Sequence, residues 1–265
     1  MKKASVETKQ RRRKNGQIRE AWRRMVHNKK AVGAMIVLAI LLFIVIFADF
    51  ISPYSKGTEL DVINRLIAPC KEYWFGTDAY GRDLFTRIIH GSRMSLLMGF
   101  GATFISATIG TLIGTTSAYL GGRTDSIIMR LLDMWMAIPS LLVTLAIIAG
   151  VGVGIGALAF GGIPGFARVL RASALGVVNQ EFIESARALG AKSSCIVVKY
   201  IIPNVMSQFL VQSTMNVSGT ILLGATLSFL GLGAQPPTPE WGAMLSEGLA
   251  NYQFHPYLVT IPGVF

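Results

Sequence analysis

Charged residues are scarce in this chain of 265 residues. Asp, Glu, Lys and Arg together make up 15% of it, against 52% hydrophobic residues. Soluble domains carry about 25% charged residues, so this composition indicates a membrane protein. Only two cysteines, Cys70 and Cys195, and three widely separated histidines are present. No Cys/His spacing suggests a metal site, and no disulfide is expected because the topology below places the cysteines on opposite membrane faces.

Positive charge is also scarce beyond the N-terminal tail. Residues 1–30 hold twelve Lys or Arg and two Glu, which accounts for ten of the eleven net charges. The remainder is nearly neutral and lacks a basic patch, so no nucleic-acid partner is expected. A basic tail before a hydrophobic segment is typical of a cytoplasmic anchor.

The end of this tail has an amphipathic pattern. Ile18, Trp22, Met25 and Val26 share one helical face, opposite three arginines. This pattern predicts a helix lying in the membrane interface. A solvated basic extension is the alternative.

Long hydrophobic stretches predict an all-α polytopic membrane protein with its N-terminus inside. The first two spans are 31–51 and 94–122, each near the roughly 20 residues that a bilayer requires. The stretch 134–167 is interpreted as two spans that turn near 151–156. The loop that then follows, 168–199, carries five Lys or Arg, whereas 231–256 carries none. That contrast agrees with the positive-inside rule.

A fifth span is predicted at 205–230, and a last hydrophobic segment starts near Tyr257. Nine residues rise only about 14 Å as a helix, which is under half of a hydrocarbon core. We therefore expect five complete spans and the start of a sixth. The predicted organisation is a tail with an interfacial helix (1–30), a first transmembrane helix (31–51), an extracytoplasmic loop (52–93) and a membrane core (94–265) that contains a cytoplasmic loop (176–203).

Motifs for chemistry are missing. There is no GxxxxGK[ST] loop for ATP, and the glycines at 152–156 lie in an apolar run without the acidic residue that a dinucleotide fingerprint expects. No nucleophile and base converge on one membrane face, so no catalytic residue is assigned and an enzyme is not expected. The middle of each span is uncharged, which disfavours an ion-driven carrier. Sodium sites made of carbonyls keep such a carrier, or a channel, as an alternative.

The loop after the first span predicts a rigid extracytoplasmic corner. Its turn and polar residues are Gly76, Asp78, Gly81, Arg82 and Asp83. The glycines permit tight turns, Asp78 and Arg82 are spaced for an i,i+4 ion pair, and Thr77 or an aspartate can cap the next helix. A calcium loop would need more oxygen ligands in sequence.

The segment FIESARALGAKSSCIVVKYIIPN, 182–204, lies between two predicted spans. Phe182, Ala186 and Leu189 fall on one face of a short helix, and Gly190 is expected to end that helix in a left-handed cap. Small residues at 185 and 186 permit close approach to a partner. These features suit a stiff element that transmits force to a membrane helix. An amphipathic interfacial helix without a partner is the alternative.

Polar residues recur every four positions in the fifth span: Gln208, Gln212, Asn216 and Thr220. Polar groups in lipid are costly unless they are satisfied. The stripe must therefore face another helix or water. Interhelical bonding and a lining for a translocation path both remain open, and the second makes these four residues pore-lining candidates.

Three separated segments resemble one family of membrane proteins. Residues 182–204 resemble the EAA loop of binding-protein-dependent ABC importers, with Glu184, Ala186 and Gly190 on the motif's positions and Ser185 where alanine is usual. FGTDAYGRDLFTRIIHGSRMSL at 75–96 and SFLGLGAQPPTPEWGAML at 228–245 resemble loops of the dipeptide, oligopeptide and nickel permeases, specifically their second permease subunit.

The resemblance implies an ABC importer type I permease fold in a bacterial or archaeal plasma membrane. It implies three kinds of protein partner besides the lipid bilayer: a second homologous permease, two cytoplasmic ATPases and an extracytoplasmic binding protein. ATP hydrolysis is then expected in the ATPases, and this subunit needs no cofactor or metal. The residues implied in ATPase coupling are Phe182, Glu184, Ser185, Ala186, Arg187, Leu189 and Gly190.

The cargo implied by the resemblance is a di- or oligopeptide. A nickel complex is the alternative within the same family. An ion-coupled carrier or channel that acts without an ATPase is the alternative from a different class.

Overall fold

The computed structural model describes residues 26–265. The chain divides after Ser52 into two compact units. In the first unit, helix α1 runs over Lys29–Ile51. Asn28 is its N-cap, because the Asn28 side chain accepts hydrogen bonds from the backbone N–H groups of Lys30 (3.1 Å) and Ala31 (3.4 Å). This helix is long and apolar enough to cross a membrane, as the sequence predicts. The predicted interfacial face lies outside the described residues except for Val26.

The second unit, Pro53–Phe265, is helical. Two short 3₁₀ turns, Tyr54–Gly57 and Val62–Asn64, precede its helices. The helices are α2 (Leu84–Leu120), α3 (Gly122–Met136), α4 (Ser140–Val151), α5 (Ile155–Val178), α6 (Glu181–Ala188), α7 (Ser193–Asn204), α8 (Met206–Phe229), α9 (Trp241–Leu249) and α10 (Tyr257–Val264). The middle of α7, Val197–Ile201, is π-helical.

Helix α2 is longer than the predicted span 94–122. Its 37 residues rise about 55 Å, and it starts directly after Asp83, one of the aspartates predicted to cap it. Arg87 lies near its start and is buried, where ion pairs with Asp78 and Glu247 neutralise it.

Helices α2 and α5 pack with their backbones close together. A Cβ on Gly110 would lie 2.5 Å from the Phe166 Cβ, and one on Gly114 would lie 2.2 Å from the carbonyl oxygen of Ala167. The GxxxG spacing of Gly110 and Gly114 permits this close helix approach. This contact supports an apolar core that includes Phe166, Leu170, Ile183, Ile196 and Ile201.

Two of the membrane segments are sharply bent. Helices α3 and α4 meet at 86°, and α7 and α8 meet at 70°. The turn predicted near 151–156 is confirmed: α4 ends at Val151, Gly152 has φ +94°, and α5 starts at Ile155. By length and composition, residues 26–265 contain two helices that could cross a membrane, or four if each bent pair is one span. Helix α5, which carries Arg168 and Arg171, is not among these helices. Five complete spans therefore stay a prediction.

Candidate functional site

Helix α6 is anchored in the membrane core along one side. Ile183 is fully buried and Ala186 is nearly so, and both belong to the core cluster with Phe166 and Leu170. The Arg187 guanidinium lies over the Tyr119 ring, 4.6 Å from its centroid. The opposite side of α6, with Glu184 and Ser185, is exposed. One side of α6 is therefore in direct contact with the helices beneath it.

The helix ends in a Schellman cap. Gly190 has φ +76°, its N–H donates to the Arg187 carbonyl (2.9 Å), and the Ala191 N–H donates to the Ala186 carbonyl (3.1 Å). These two bonds define the motif, and the left-handed glycine is what permits it. The prediction of a left-handed cap at Gly190 is confirmed.

The three residues that the sequence placed on one helical face differ in burial. Ala186 is buried, whereas Phe182 is 38% exposed and Leu189 is 87% exposed. Leu189 lies beyond the last helical residue, and the buried side of α6 centres on Ile183. Ile183 escaped the sequence reasoning, although its spacing of three from Ala186 was a usable signal. The small Ala186 packs inward and does not face a partner.

The extracytoplasmic corner is tightly built. Gly76 (φ +81°) and Gly81 (φ +79°) are left-handed, and a Cβ on Gly81 would lie 1.7 Å from the Asp61 carbonyl oxygen. Asp83 caps α2 by accepting a hydrogen bond from the Thr86 N–H at 3.0 Å. The predicted tight turns and helix cap are present at these positions.

The corner also contains a buried group of alternating charges, which we name the outer charge cluster: Asp78, Arg82, Arg87 and Glu247. The Arg82 Nε donates to Asp78 (2.7 Å) and its Nη2 donates to Glu247 (2.6 Å). Arg87 Nη1 bonds both carboxylates, at 2.8 Å for Glu247. The Arg82 and Arg87 side chains are only 3% and 1% exposed. Two cations and two anions cancel, which makes the burial tolerable.

Sequence reasoning found the Asp78–Arg82 pair and missed the other two members. Arg87 and Glu247 are 160 residues apart, so no local spacing could connect them. A signal did exist, because 231–256 contains two glutamates and no Lys or Arg. A buried acid in that stretch needs a cation or a hydrogen-bond donor from elsewhere.

Two of the segments that carry the family resemblance touch at this corner. Glu240 caps α9 by accepting a hydrogen bond from the Ala243 N–H (2.9 Å), and it also accepts one from the Ser95 hydroxyl of α2 (3.1 Å). The Trp241 indole N–H donates to the Ile88 carbonyl at 3.2 Å. Segments 75–96 and 228–245 thus pack together in one layer.

Charged pairs also fix α3 to α5. Arg171 makes a two-pronged ion pair with Asp125, which also accepts a hydrogen bond from the Ser117 hydroxyl at 2.6 Å. A second pair joins Arg168 to Asp133 and is exposed. Bidentate geometry restricts orientation more than a single contact does, so the first pair holds the two helices in register.

The polar stripe of α8 changes environment along its length. Gln208 is exposed, Gln212 and Asn216 are partly buried, and Thr220 is buried. Asn216 Oδ1 accepts hydrogen bonds from the Thr103 hydroxyl of α2 and from the Thr220 hydroxyl, each at 3.1 Å. Interhelical bonding is thus present at the Asn216 end. The Gln208 end carries no such bond to another helix among the described residues.

A cavity of about 300 Å³ opens beside Asn216. It lies at the α3–α4 bend and against the glycine-rich part of α5. Its lining is Trp135, Met136, Ile138, Pro139, Ser140, Val143, Gly161, Gly162, Pro164, Gly165 and Asn216. None of these side chains is charged, and the volume is at the lower end of that of small-molecule sites.

Metal-ligating residues do not cluster anywhere in residues 26–265, where no three His, Cys, Asp or Glu side chains are placed to hold an ion. Cys70 and Cys195 are both free, as expected from their predicted positions.

The fold and these sites define a class of protein, a polytopic helical permease subunit. Residues 106–265 match the family of binding-protein-dependent transport system inner membrane components. Residues 16–69 match the N-terminal transmembrane domain of oligopeptide transport permease C. The chain belongs to this family of ABC importer permeases, which confirms the resemblance stated above.

Relatives and solved structures agree with this assignment. One relative is the glutathione transport system permease protein GsiD of Escherichia coli O6:K15:H31 (strain 536 / UPEC). The chain is 41% identical to it over 249 residues, which cover 92% of this chain and 82% of that protein. GsiD of Shigella boydii serotype 4 (strain Sb227) matches equally well. An inward-facing structure of the MetNI methionine ABC transporter aligns with a TM-score of 0.55 at 19% identity, over 68% of this chain and 88% of that chain. This last likeness establishes the shared fold alone.

Proposed function

We propose that this subunit forms half of the translocation path of a peptide importer in a bacterial plasma membrane. Its partners are a second permease, two cytoplasmic ATPases and an extracytoplasmic binding protein. The observation that carries the proposal is α6, a capped helix with one side buried in the membrane core and the other side free to meet an ATPase. No nucleotide-binding motif occurs in the sequence, which supports hydrolysis in the partner subunits.

The mechanism is alternating access driven from α6. The exposed residues Glu184, Ser185, Phe182 and Leu189 provide the ATPase contact, and Ile183 with Ala186 transmits the displacement. Packed cores respond to such displacements by moving whole helices, because they are not continuously deformable. The bent segments α3–α4 and α7–α8 then pivot between inward and outward openings.

The cargo is a short peptide or a glutathione-like molecule. The relatives at 41% identity are named for glutathione transport, and glutathione is itself a small peptide. The uncharged cavity at the α3–α4 bend, with Gln208 and Gln212 on the same stripe as Asn216, is the part of the path that this subunit contributes. A path without fixed charge holds its cargo weakly, so most of the selectivity belongs to the binding protein.

The test is purification of the tagged full-length chain in mild detergent, followed by mass spectrometry and an ATPase assay. We expect recovery of a second permease and of ATPase subunits. Glu184→Arg reverses the charge on the exposed side of α6 and is expected to release the ATPases. Glu181→Arg, in the same helical turn and also exposed, is the matched control for a general effect of charge on α6.

Three outcomes separate the possibilities. Loss of the ATPases with Glu184→Arg but not with Glu181→Arg supports the proposed docking side. Equal loss with both variants supports docking on α6 without assigning a role to Glu184. Recovery of the chain without any ATPase contradicts the proposal and favours a carrier or channel that works alone.

A further inference from the structure

Asn216 holds an unusual position, because its carboxamide oxygen is bonded within the helix packing while the residue also lines a cavity. Its Oδ1 accepts two hydroxyl hydrogen bonds, from Thr103 and Thr220. A carbonyl oxygen has two lone pairs, so both acceptor positions are filled. The oxygen is therefore fixed toward α2 and the next turn of α8.

The amide nitrogen is left for another partner. A primary amide has two N–H donors, and none of the described residues accepts a hydrogen bond from the Asn216 nitrogen. This nitrogen is also absent from the polar atoms that are sealed away from solvent. Because the residue lines the 300 Å³ cavity, the free donors are available to a molecule in that cavity.

The rest of the lining makes the cavity selective for one kind of chemistry. Trp135 supplies a wide apolar wall, stacked on Phe160 with ring centroids 4.2 Å apart, and no acidic side chain is present to hold an ammonium group. Gly165 leaves open space where a side chain would otherwise stand. The cavity is therefore uncharged and mostly apolar, with the Asn216 N–H donors and the Ser140 hydroxyl as polar side-chain groups in its lining.

We propose that the Asn216 amide is a specificity-determining group that donates hydrogen bonds to a carbonyl or carboxylate oxygen of the passing peptide. This inference deepens the proposed function and rests on it for the direction of transport. The Thr103 and Thr220 hydroxyls are positioning groups, because they orient the carboxamide so that its donors face the cargo. Neutral donors suit a path that must release its cargo, since a fixed cation would bind a carboxylate more strongly.

The first experiment measures occupancy of the cavity and does not depend on ATP. Ser140, which lines the cavity, is changed to cysteine in a chain whose Cys70 and Cys195 have been replaced by serine. Labelling of this new cysteine by a hydrophilic maleimide is then followed in nucleotide-free proteoliposomes. A tripeptide with a free carboxylate at millimolar concentration is expected to slow labelling severalfold. Asn216→Asp, which keeps the shape but replaces the donors with an anionic oxygen, is expected to abolish this protection. Equal protection in both backgrounds, or none in either, overturns the inference.

The second experiment measures uptake by the reconstituted complex with a tripeptide and its C-terminal amide. Asn216→Asp is expected to lower kcat for the free-carboxylate peptide by about tenfold or more, the size of one hydrogen bond to a charged group, and to lower it less for the amide. The matched control is Ser218→Ala, an exposed residue whose hydroxyl donates only to the Met215 carbonyl of its own helix. Thr103→Val removes one of the two bonds that orient the carboxamide but leaves the Thr220 bond and both donors, so it should weaken the preference between the two peptides without abolishing it.

The outcomes distinguish this inference from the proposed function. If the wild-type complex transports neither peptide, the proposed function fails, and the labelling experiment still decides whether the cavity binds peptide through Asn216. If the wild type transports both and Asn216→Asp does so equally well, the inference fails and the proposed function stands. If Thr103→Val reproduces the loss of Asn216→Asp, with no difference between peptides, Asn216 acts only in helix packing and the inference is again overturned.

Discussion

Replacing Gly190 by valine tests the coupling helix with a cost that the structure defines. Gly190 has φ +76°, and a Cβ at this position would meet no atom within 4 Å. The cost is therefore backbone strain without a clash. Left-handed geometry costs an L-residue about 1–2 kcal/mol, and a β-branched residue is a true outlier there. Asparagine enters this region readily, which makes Gly190→Asn the matched control.

A second route leads to a similar cost. If the valine variant leaves the left-handed region, the cap loses its bonds from Gly190 to Arg187 (2.9 Å) and from Ala191 to Ala186 (3.1 Å). Each bond contributes about 0.5–1.5 kcal/mol, so this route costs about 1–3 kcal/mol. Folded domains are stable by about 5–15 kcal/mol. The protein should therefore still insert and fold, while α6 loses its fixed end.

The assay is ATP-driven uptake in proteoliposomes that contain equal amounts of each variant. Gly190→Val is expected to insert at the wild-type level and to lose about tenfold or more of its uptake, since 1.4 kcal/mol corresponds to a factor of ten. Gly190→Asn is expected to stay within about twofold of wild type. Wild-type uptake by Gly190→Val at equal insertion would refute the reasoning that this cap positions the coupling helix.

Three other substitutions test packing and the path. Arg87→Met leaves the outer charge cluster with unbalanced carboxylates and should lower the free energy of unfolding by about 3–5 kcal/mol. The readout is a lower unfolding midpoint in detergent, and an unchanged midpoint would contradict the role assigned to the cluster. Gly81→Ala places a Cβ 1.7 Å from the Asp61 carbonyl oxygen, whereas Gly121→Ala, also at positive φ, meets nothing within 4 Å. The first should lower the midpoint more than the second, and equal shifts would argue against a rigid corner. Gly165→Trp should fill the cavity and stop uptake. Gly165→Ala should be tolerated, because alanine inside a helix is about 0.5–1 kcal/mol more stable than glycine. Normal uptake by the tryptophan variant would show that the cavity is not part of the path.

Features that depend on nearby residues were predictable from the sequence. The cap at Gly190, the Asp83 helix cap and the Asp78–Arg82 pair each involve residues within five positions of one another. Turn and cap chemistry is local, so residue type and spacing are sufficient to indicate it. The turn after Val151 followed from hydrophobic length and from the distribution of Lys and Arg.

Features that depend on distant residues were missed or misjudged. The burial of Arg87 was not predicted, because Glu247, one of its two ion-pair partners, lies far along the chain. The inward side of α6 was not predicted either, because the core that it meets, at Phe166 and Leu170, selects Ile183.

The sequence by itself determined that the chain is an α-helical membrane protein of the ABC importer permease family, because span length, charge asymmetry and short motifs are written in consecutive residues. The tertiary structure alone decided which partners the buried charges have, which side of α6 is anchored and which half of the Asn216 amide is free. Hydrogen bonds and ion pairs between helices have strict distance requirements. Those distances exist only after α2, α5 and α8 have packed together.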